Sequence, residues 1–263
     1  MVSIKSLFRS GRNYETGIIL SGGGARGFAH AGILKALNEA GIFPDIIAGV
    51  SAGAVVVALY ADGYSPDEIY EIFAGERSFF KYVKLTVPAK GLFKTVGLKK
   101  NLASHLRAKT FSELRIPLIV AATNLNQGKI EYFSSGEVLP AVMASAAIPV
   151  LFEPVEINGN IYVDGGVLDN FPVSPLEGEC NRIIGIYLNP IHPENDFHNM
   201  IKIAERTFHL SVSSNLYNKM EMCDLVIEPG ELGKYGLLDA SAGKEMFELG
   251  YRAASEKLNS SGI

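Results

Sequence analysis

Short apolar runs, glycine-rich turns and amphipathic stretches follow one another in the first part of the chain. Gly17–Leu20 is a short apolar run, and apolar residues then recur at helical spacing over Phe28–Ala40, where Gly41 supplies a stop signal. Residues 45–61 repeat this order, with an apolar run to about Gly49 before the next helical stretch. The pattern predicts two successive units of strand, sharp turn and helix.

Capping signals predict a third helix. Ser65 stands at the N-cap, Pro66 at the first helical position, and Glu68 where it completes a capping box. Later patterns predict strands within 116–125, 129–135, 182–189 and 224–229, a hairpin over 155–164 that turns at Asn158–Gly159, and helices at 101–108, 139–147, 201–222 and 240–258. Strands that alternate with helices are typical of a largely parallel sheet covered on both faces, so the predicted fold class is α/β.

No repeat, low-complexity tract or linker-like composition divides the 263 residues. We expect a single domain over 14–258, with an N-terminal extension at 1–13 and a tail at 259–263. The composition, 48% hydrophobic and 20% charged, is ordinary for a globular protein. Cys180 and Cys223 form no CxxC pair, which favours buried thiols in a reducing compartment over a disulfide framework.

The sequence pattern also bears on membrane insertion and export. The most apolar stretch, Ile46–Ala61, is shorter than the roughly 20 residues that a membrane span needs. The N-terminal residues are partly basic but have no apolar core long enough for a secretory signal. We therefore expect a cytoplasmic protein, while export by a route that needs no cleavable signal stays open.

Charge is unevenly distributed around a net value of −4. Residues 81–109 contain eight basic residues and no acidic one: Lys81, Lys84, Lys90, Lys94, Lys99, Lys100, Arg107 and Lys109. Such a segment is either a solvated surface loop or a peripheral contact with an anionic membrane. Within it, residues 91–100 pair lysines with Leu92, Phe93, Val96 and Leu98, as an interfacial lid segment would. We expect no nucleic-acid partner.

A glycine-rich turn follows the first strand and has two interpretations. Gly22, Gly24 and Gly27 spell G-x-G-x-x-G, the dinucleotide-binding pattern, directly before a helix. A dinucleotide site requires an acidic residue at the end of the second strand, where it binds the ribose, whereas Asp45 precedes that strand. Alternatively, the backbone N–H groups of Gly22–Gly24 form an oxyanion hole at the helix N-terminus, with Arg26 holding the loop or an anion.

The second turn places a serine in the pattern of a nucleophile. Gly49, Ser51 and Gly53 form G-x-S-x-G between a predicted strand and a predicted helix. Glycines flank such a serine because it occupies a strained bend where side chains would clash. The alternative is a packing turn with an incidental serine, but the position after a strand and before a helix favours a nucleophile.

A nucleophilic serine needs a base, and the chain offers histidines and one notable aspartate. His30 is expected to be a packed or hydrogen-bonded core residue, and none of His192, His198 and His209 occupies a short loop after a strand. Asp164 ends an apolar strand, and Gly165 and Gly166 follow it directly. A Ser–Asp pair within about 3 Å could activate the hydroxyl without a histidine. A turn-capping aspartate is the competing interpretation.

Together, GGGARG, GVSAG and DGG resemble the motifs of the patatin-like phospholipase family. The resemblance runs from about Tyr14 to Leu258 and includes FSSG (133–136), ASAAIP (144–149), NFPV (170–173) and ELGYRAA (248–254). It implies a three-layer α/β/α fold with a mostly parallel central sheet. It also implies hydrolysis of lipid acyl esters by a Ser–Asp dyad, with no metal or organic cofactor. By motif position, Ser51 is the nucleophile and Asp164 the proton acceptor.

The same resemblance assigns the oxyanion hole to Gly22, Gly23, Gly24 and Arg26. Val50 stands where many members of that family carry threonine, at a position that is not expected to do chemistry. The remaining alternatives are a histidine-dependent serine esterase, an acyltransferase, and a dinucleotide-binding module that uses Gly22–Gly27.

Overall fold

One mixed β-sheet organises the part of the chain that a computed structural model describes: residues 12–75, 96–191, 193–195, 216–237 and 240–261, with single positions 197, 200, 203, 206, 207, 210 and 211. The strands are β1 (Tyr14–Leu20), β2 (Ile46–Val50), β3 (Leu118–Asn124), β4 (Lys129–Phe133), β5 (Val155–Ile157), β6 (Asn160–Asp164), β7 (Cys180–Ile186) and β8 (Leu225–Ile227). The helices are α1 (Gly27–Glu39), α2 (Ala52–Ala61), α3 (Pro66–Ala74), α4 (Val96–His105), α5 (Val138–Ser145), α6 (Leu216–Met220) and α7 (Gly243–Ser261).

Parallel and antiparallel strands occupy different parts of the sheet. The order is β5-β6-β3-β2-β1-β7-β8, and β4 also pairs with β3. Strands β3, β2, β1, β7 and β8 are mutually parallel, whereas β4, β5 and β6 run antiparallel to their neighbours. The predicted α/β class with a mostly parallel central sheet is confirmed, with an antiparallel extension at one side.

The central strands bury side chains on both faces, which makes the fold three-layered. Along β1, Ile18 and Leu20 belong to the larger core cluster, which α1, α2, α3, α5 and α7 cover. Ile19, between them, belongs to a second cluster, which Phe171 and the α6 residue Leu216 help to cover on the other face. This alternation follows from the two-residue repeat of a strand.

Most predicted elements lie where the patterns place them. The Ser65 capping box is present, and the hairpin turns at Asn158 and Gly159, both with positive φ. The helix predicted at 101–108 begins earlier, at Val96, and the terminal helix extends to Ser261. Of the helix predicted at 201–222, the structure describes α6 and isolated helical positions, and much of that range lies outside the described residues.

Strand β3 brings two distant chain segments end to end. Its residues 120 and 121 pair with β2 and with β4, and its residues 122–124 pair with β4 and with β6. A strand has two hydrogen-bonding edges, so β2 and β6 must share the edge opposite β4. Val50 pairs with Ala121 and Asp164 with Ala122, and the C-terminal ends of β2 and β6 therefore meet.

Candidate active site

The turn at Ser51 is strained, and its flanking glycines make it possible. Ser51 has φ 54° and ψ −126°, a conformation that non-glycine residues rarely adopt. A Cβ built on Gly53 would lie 2.5 Å from the carbonyl oxygens of Leu20 and Ser21, so only glycine fits there. Gly49 is similarly enclosed, by Val57 and the Gly53 backbone. The strand-turn-helix context predicted for Ser51 is confirmed.

Ser145, at the end of α5, fixes this turn from the side. Its hydroxyl donates to the Ala121 carbonyl oxygen at 2.6 Å and accepts the Ser51 backbone N–H at 2.9 Å. The hydroxyl is fully buried, so both bonds form away from water. Ser145 therefore couples the strained residue to β3, and the sequence analysis assigned it no function.

The structure places Ser51 and Asp164 in direct contact. The Ser51 Oγ donates to the Asp164 Oδ2 at 2.6 Å. The other carboxylate oxygen, Oδ1, accepts the Gly166 N–H at 2.7 Å, and the Thr123 hydroxyl donates to the Asp164 carbonyl oxygen at 3.0 Å. One carboxylate oxygen is thus held by the backbone while the other faces the serine hydroxyl.

Burial gives Asp164 the properties of a base. Its side chain is 1% exposed, and desolvation raises its pKa to about 7, against the hydrogen bonds from Ser51 and Gly166, which lower it. A carboxyl group with a pKa near neutrality can take and return a proton at neutral pH. Gly165 permits this position, since a Cβ there would lie 2.3 Å from the Ala121 carbonyl oxygen.

Neither described histidine contacts Ser51 through a hydrogen bond. His30 is fully buried, its Nε2 lies 2.8 Å from the Ser21 carbonyl oxygen, and burial lowers its pKa to about 3. The expectation that His30 is a hydrogen-bonded core residue is confirmed. His105 bonds the Asn101 carbonyl oxygen through Nδ1 at 2.8 Å. His192, His198 and His209 lie outside the described residues.

The glycine loop after β1 is held by two polar side chains. The Gly22 carbonyl oxygen accepts from the Ser21 hydroxyl at 2.9 Å and from the Asn189 amide at 2.7 Å. Because a trans peptide directs its C=O and N–H to opposite sides, these bonds turn the Gly23 N–H away from Asn189. The Gly23 carbonyl oxygen accepts the Arg26 N–H at 3.0 Å, so the Gly24 N–H of the same peptide points away from the Arg26 N–H. Among the described residues, neither the Gly23 N–H nor the Gly24 N–H has an acceptor.

Arg26 is buried, and its guanidinium anchors this loop to neighbouring segments. Its Nε and Nη2 donate to the Tyr235 carbonyl oxygen at 3.0 and 2.8 Å, and its Nη1 donates to the Leu188 carbonyl oxygen at 3.2 Å. Of the two functions considered for Arg26, these bonds favour holding the loop. Gly27, the next residue, has no room for a large side chain because Ala52 and Phe73 pack against it.

A narrow apolar cavity begins at the serine and extends between helices. Its walls come from the glycine loop, the Ser51 turn, α2, α3, α4 and the segment after α5: Gly24, Ser51, Ala52, Val55, Leu59, Ile72, Phe73, Asn101, Leu102, Ala146 and Ile148. The space measures about 550 Å³, including its open mouth, and its walls are largely apolar. Such walls favour an apolar group such as an alkyl chain.

Part of the basic segment can be located beside this cavity. Lys99 and Lys100 are exposed on α4, directly before the lining residues Asn101 and Leu102. The residues predicted as a lid, including Leu92 and Phe93, lie outside the described residues, as do Lys81, Lys84, Lys90 and Lys94. In the described part of the chain, no helix is long and apolar enough to cross a membrane, and no cluster of His, Cys, Asp and Glu could hold a metal ion.

The three-layer fold and the buried Ser–Asp pair define an α/β protein with a strained serine turn between a strand and a helix. A family model described as Patatin-like phospholipase matches residues 18–177, and the chain belongs to that family. The match includes both Ser51 and Asp164.

Individual relatives are distant and mostly longer. Lysophospholipase nte1 of Emericella nidulans is 28% identical over 92% of this chain, which spans 18% of that protein. An uncharacterized protein of Acanthamoeba polyphaga mimivirus is 33% identical, over 68% of this chain and 67% of its own length. The crystal structure of VipD from Legionella pneumophila superposes with a TM-score of 0.56 at 17% identity, covering 94% of this chain and 67% of that one. That likeness supports the fold.

Proposed function

We propose that this protein hydrolyses acyl esters of lipids and that Ser51 and Asp164 form its catalytic dyad. The observation that carries the proposal is the 2.6 Å hydrogen bond from the Ser51 hydroxyl to a buried carboxylate. Membership of the patatin-like phospholipase family and the likeness to lysophospholipases support the lipid substrate. The geometry supports a nucleophile that is activated directly by the carboxylate.

The reaction proceeds through an acyl-serine. The Ser51 Oγ attacks the ester carbonyl carbon while Asp164 accepts the serine proton. The tetrahedral intermediate collapses, the C–O bond to the alcohol breaks, and Asp164 returns its proton to the leaving oxygen. A water molecule then attacks the acyl-serine, giving its proton to Asp164, and release of the fatty acid restores the Ser51 hydroxyl.

The oxyanion of each tetrahedral intermediate is bound by the glycine loop. The N–H groups of Gly23 and Gly24 are the donors, because their carbonyl partners are fixed on the opposite side of each peptide. In serine hydrolases, one such donor contributes roughly 3–4 kcal/mol of transition-state stabilisation. Gly22 brings the loop against the serine, and Arg26 positions it through the Tyr235 and Leu188 carbonyls.

The acyl chain occupies the apolar cavity that begins at Ser51, and α4 contacts the lipid surface. The exposed Lys99 and Lys100 beside the cavity support a peripheral contact with anionic lipid through residues 81–109. Changing both lysines to Gln should weaken binding to vesicles containing phosphatidylserine, while Lys257→Gln on α7 should not. Unchanged sedimentation of the double variant with these vesicles would contradict the contact.

Hydrolysis of p-nitrophenyl acyl esters by matched variants tests the dyad. Ser51→Ala and Asp164→Asn should each lower kcat by at least about a thousandfold, because each removes a group that takes part in bond making. The controls Ser104→Ala and Asp67→Asn change exposed residues of the same types and should retain activity. Activity that survives in Ser51→Ala would refute the proposal.

The alternatives make different predictions. A histidine-dependent esterase would lose activity in His209→Ala with its fold intact, and an acyltransferase would form new esters with added alcohols. Dinucleotide binding has little support, because the Ala25 N–H at the start of the helix region is already bonded to the Leu237 carbonyl oxygen at 2.7 Å. A Cβ on Gly24 would lie only 2.1 Å from that oxygen, so Leu237 fills the space beside the loop.

A further inference from the structure

Asn170 is a buried polar residue that the mechanism above does not use. It lies six residues after Asp164, its side chain is 8% exposed, and its carboxamide has no hydrogen-bond partner among the described residues. A carboxamide offers two N–H donors and one acceptor oxygen, and burying it without partners is unfavourable. An amide without a partner at this place can therefore bind a further group.

The Asn170 carboxamide lies between the two halves of the site. A Cβ on Gly22 would lie 2.3 Å from the Asn170 Oδ1 and 3.1 Å from the Ser51 Cβ. A Cβ on Gly166 would lie 3.0 Å from the Asn170 Oδ1 and 3.0 Å from the Asp164 Oδ1. The amide oxygen therefore packs against both glycines, and the amide is a neighbour of both dyad residues.

The residues on either side hold Asn170 in place. The Asp169 N–H donates to the Gly165 carbonyl oxygen at 2.8 Å, and the Asp169 carboxylate accepts the Phe171 N–H at 3.0 Å. The same carboxylate accepts the Tyr132 hydroxyl at 2.6 Å and pairs with Lys219. The amide is therefore presented by a fixed backbone, which is what a group acting on a transition state requires.

The apolar cavity does not include Asn170. It reaches the dyad through Gly24, Ser51 and Ala52, and Asn170 is not among its lining residues. If the acyl chain fills the cavity, the alcohol part of the ester lies outside it, where Asn170 adjoins the dyad. The water that later replaces the alcohol attacks from the same side, because deacylation reverses the geometry of acylation.

We propose that Asn170 is a third catalytic residue, which hydrogen-bonds the leaving alcohol oxygen and then the attacking water. This inference rests on the proposed function. In acylation the Asn170 NH₂ group donates to the leaving oxygen while Asp164 gives that oxygen its proton. In deacylation the same NH₂ group donates to the oxygen of the attacking water and holds it in place while Asp164 takes a proton from that water. Asn170 itself gains and loses no proton.

Burst kinetics with p-nitrophenyl esters distinguish this function from simple packing. p-Nitrophenolate leaves without help, so Asn170→Ala should scarcely affect acylation but should slow deacylation by about tenfold or more. The variant should then release p-nitrophenol in a burst approaching one equivalent per enzyme, larger than that of the wild type. With an alkyl ester, whose alcohol leaves poorly, both steps should slow. Loss of packing alone would slow acylation and deacylation together and produce no added burst.

Asn170→Asp keeps the shape of the side chain and should fold even if Asn170→Ala does not. A carboxylate donates no hydrogen bond at neutral pH, so this variant should lose the alkyl-ester activity as well. Asn160→Ala, a surface control on the strand that leads to Asp164, should behave as the wild type. Wild-type burst and wild-type alkyl-ester rates in Asn170→Asp would overturn the proposal. A wild-type protein that hydrolyses no ester would instead refute the proposed function itself.

Discussion

Asp164 carries an ionisable carboxyl group in a place that water does not reach. Its pKa of about 7 results mainly from burial, and only two hydrogen bonds oppose that effect. The fold therefore binds the proton of this carboxyl group more tightly than the unfolded chain does. Ser51, beside it, holds a positive φ that only the surrounding glycines and Ser145 make tolerable. Strain at Ser51 and desolvation at Asp164 both reduce stability, as such features commonly do at functional sites.

The Asp164 carboxyl group should make stability depend on pH in a defined direction. Between about pH 4 and pH 7 the native state keeps a proton that the unfolded chain has released, so stability falls as pH rises through this window. A shift of this size corresponds to a cost on the order of 4 kcal/mol that is complete above pH 7. Asp164→Asn removes the cost, and its free energy of unfolding should exceed that of the wild type at pH 8 but not at pH 4.

Urea denaturation at the two pH values measures this difference. Asp67→Asn is the matched control, because Asp67 is exposed and pairs with Lys35 on the surface. It should change the free energy of unfolding by less than about 1 kcal/mol at either pH. Equal stability of Asp164→Asn and wild type at pH 8 would show that the carboxyl group is not desolvated in solution.

At the scale of elements, α2 links the proposed nucleophile to the apolar cavity. Ser51 starts the helix, and Val55 and Leu59 follow at steps of four residues, so all three lie along one face of α2. At 1.5 Å per residue the face extends about 12 Å from Ser51 to Leu59. Helices α3 and α4 close the cavity with Ile72, Phe73 and Leu102.

The end of α2 is connected to the chain after α4. The Asp62 carboxylate there accepts the backbone N–H groups of Arg107 and Ala108.

This geometry predicts a limit on acyl chain length. An acyl chain that follows this face over about 12 Å has room for roughly eight to ten carbons, so activity should fall for longer p-nitrophenyl esters. Leu59→Ala should move the preferred length upward by several carbons, because it removes the wall at the far end. It should also cost about 2–5 kcal/mol of stability, as buried Leu→Ala changes do.

Leu37→Ala is the matched control for that prediction. Leu37 is also fully buried, on α1, but does not line the cavity. The control should lose similar stability while keeping the wild-type chain-length profile. If both variants keep that profile, the acyl chain does not follow α2.

At the scale of the whole molecule, the site results from contacts that local patterns do not encode. The sequence predicts the order of strands and helices, the Ser51 turn and the residues of the dyad, because glycine spacing and apolar periodicity are local signals. It does not predict that the C-terminal end of β6 would meet the C-terminal end of β2, since strand pairing is set by the packing of the entire sheet. The 2.6 Å contact between Ser51 and Asp164 depends on that pairing with β3.

The sequence did not indicate the residues that surround the Ser–Asp pair, for the same reason. Ser145, Asn189 and Asn170 are polar residues in otherwise unremarkable segments, and their partners lie far away in the chain. For Ser145 and Asn170 the one available signal was their position in ASAAIP and NFPV, segments that resemble the family. Arg26 was singled out from its place in the glycine loop, but its carbonyl partners at 188 and 235 could not be read from the sequence.

The most direct test of the Ser–Asp account is to identify the residue that carries the acyl group. Wild-type protein, Ser51→Ala and His209→Ala would be mixed with a p-nitrophenyl ester, quenched in acid within the first turnover and mapped by peptide mass spectrometry. An acyl group is expected on Ser51 in the wild type and in His209→Ala, and none in Ser51→Ala. An acyl group on another residue, or hydrolysis by His209→Ala too slow to detect although that variant is folded, would contradict it.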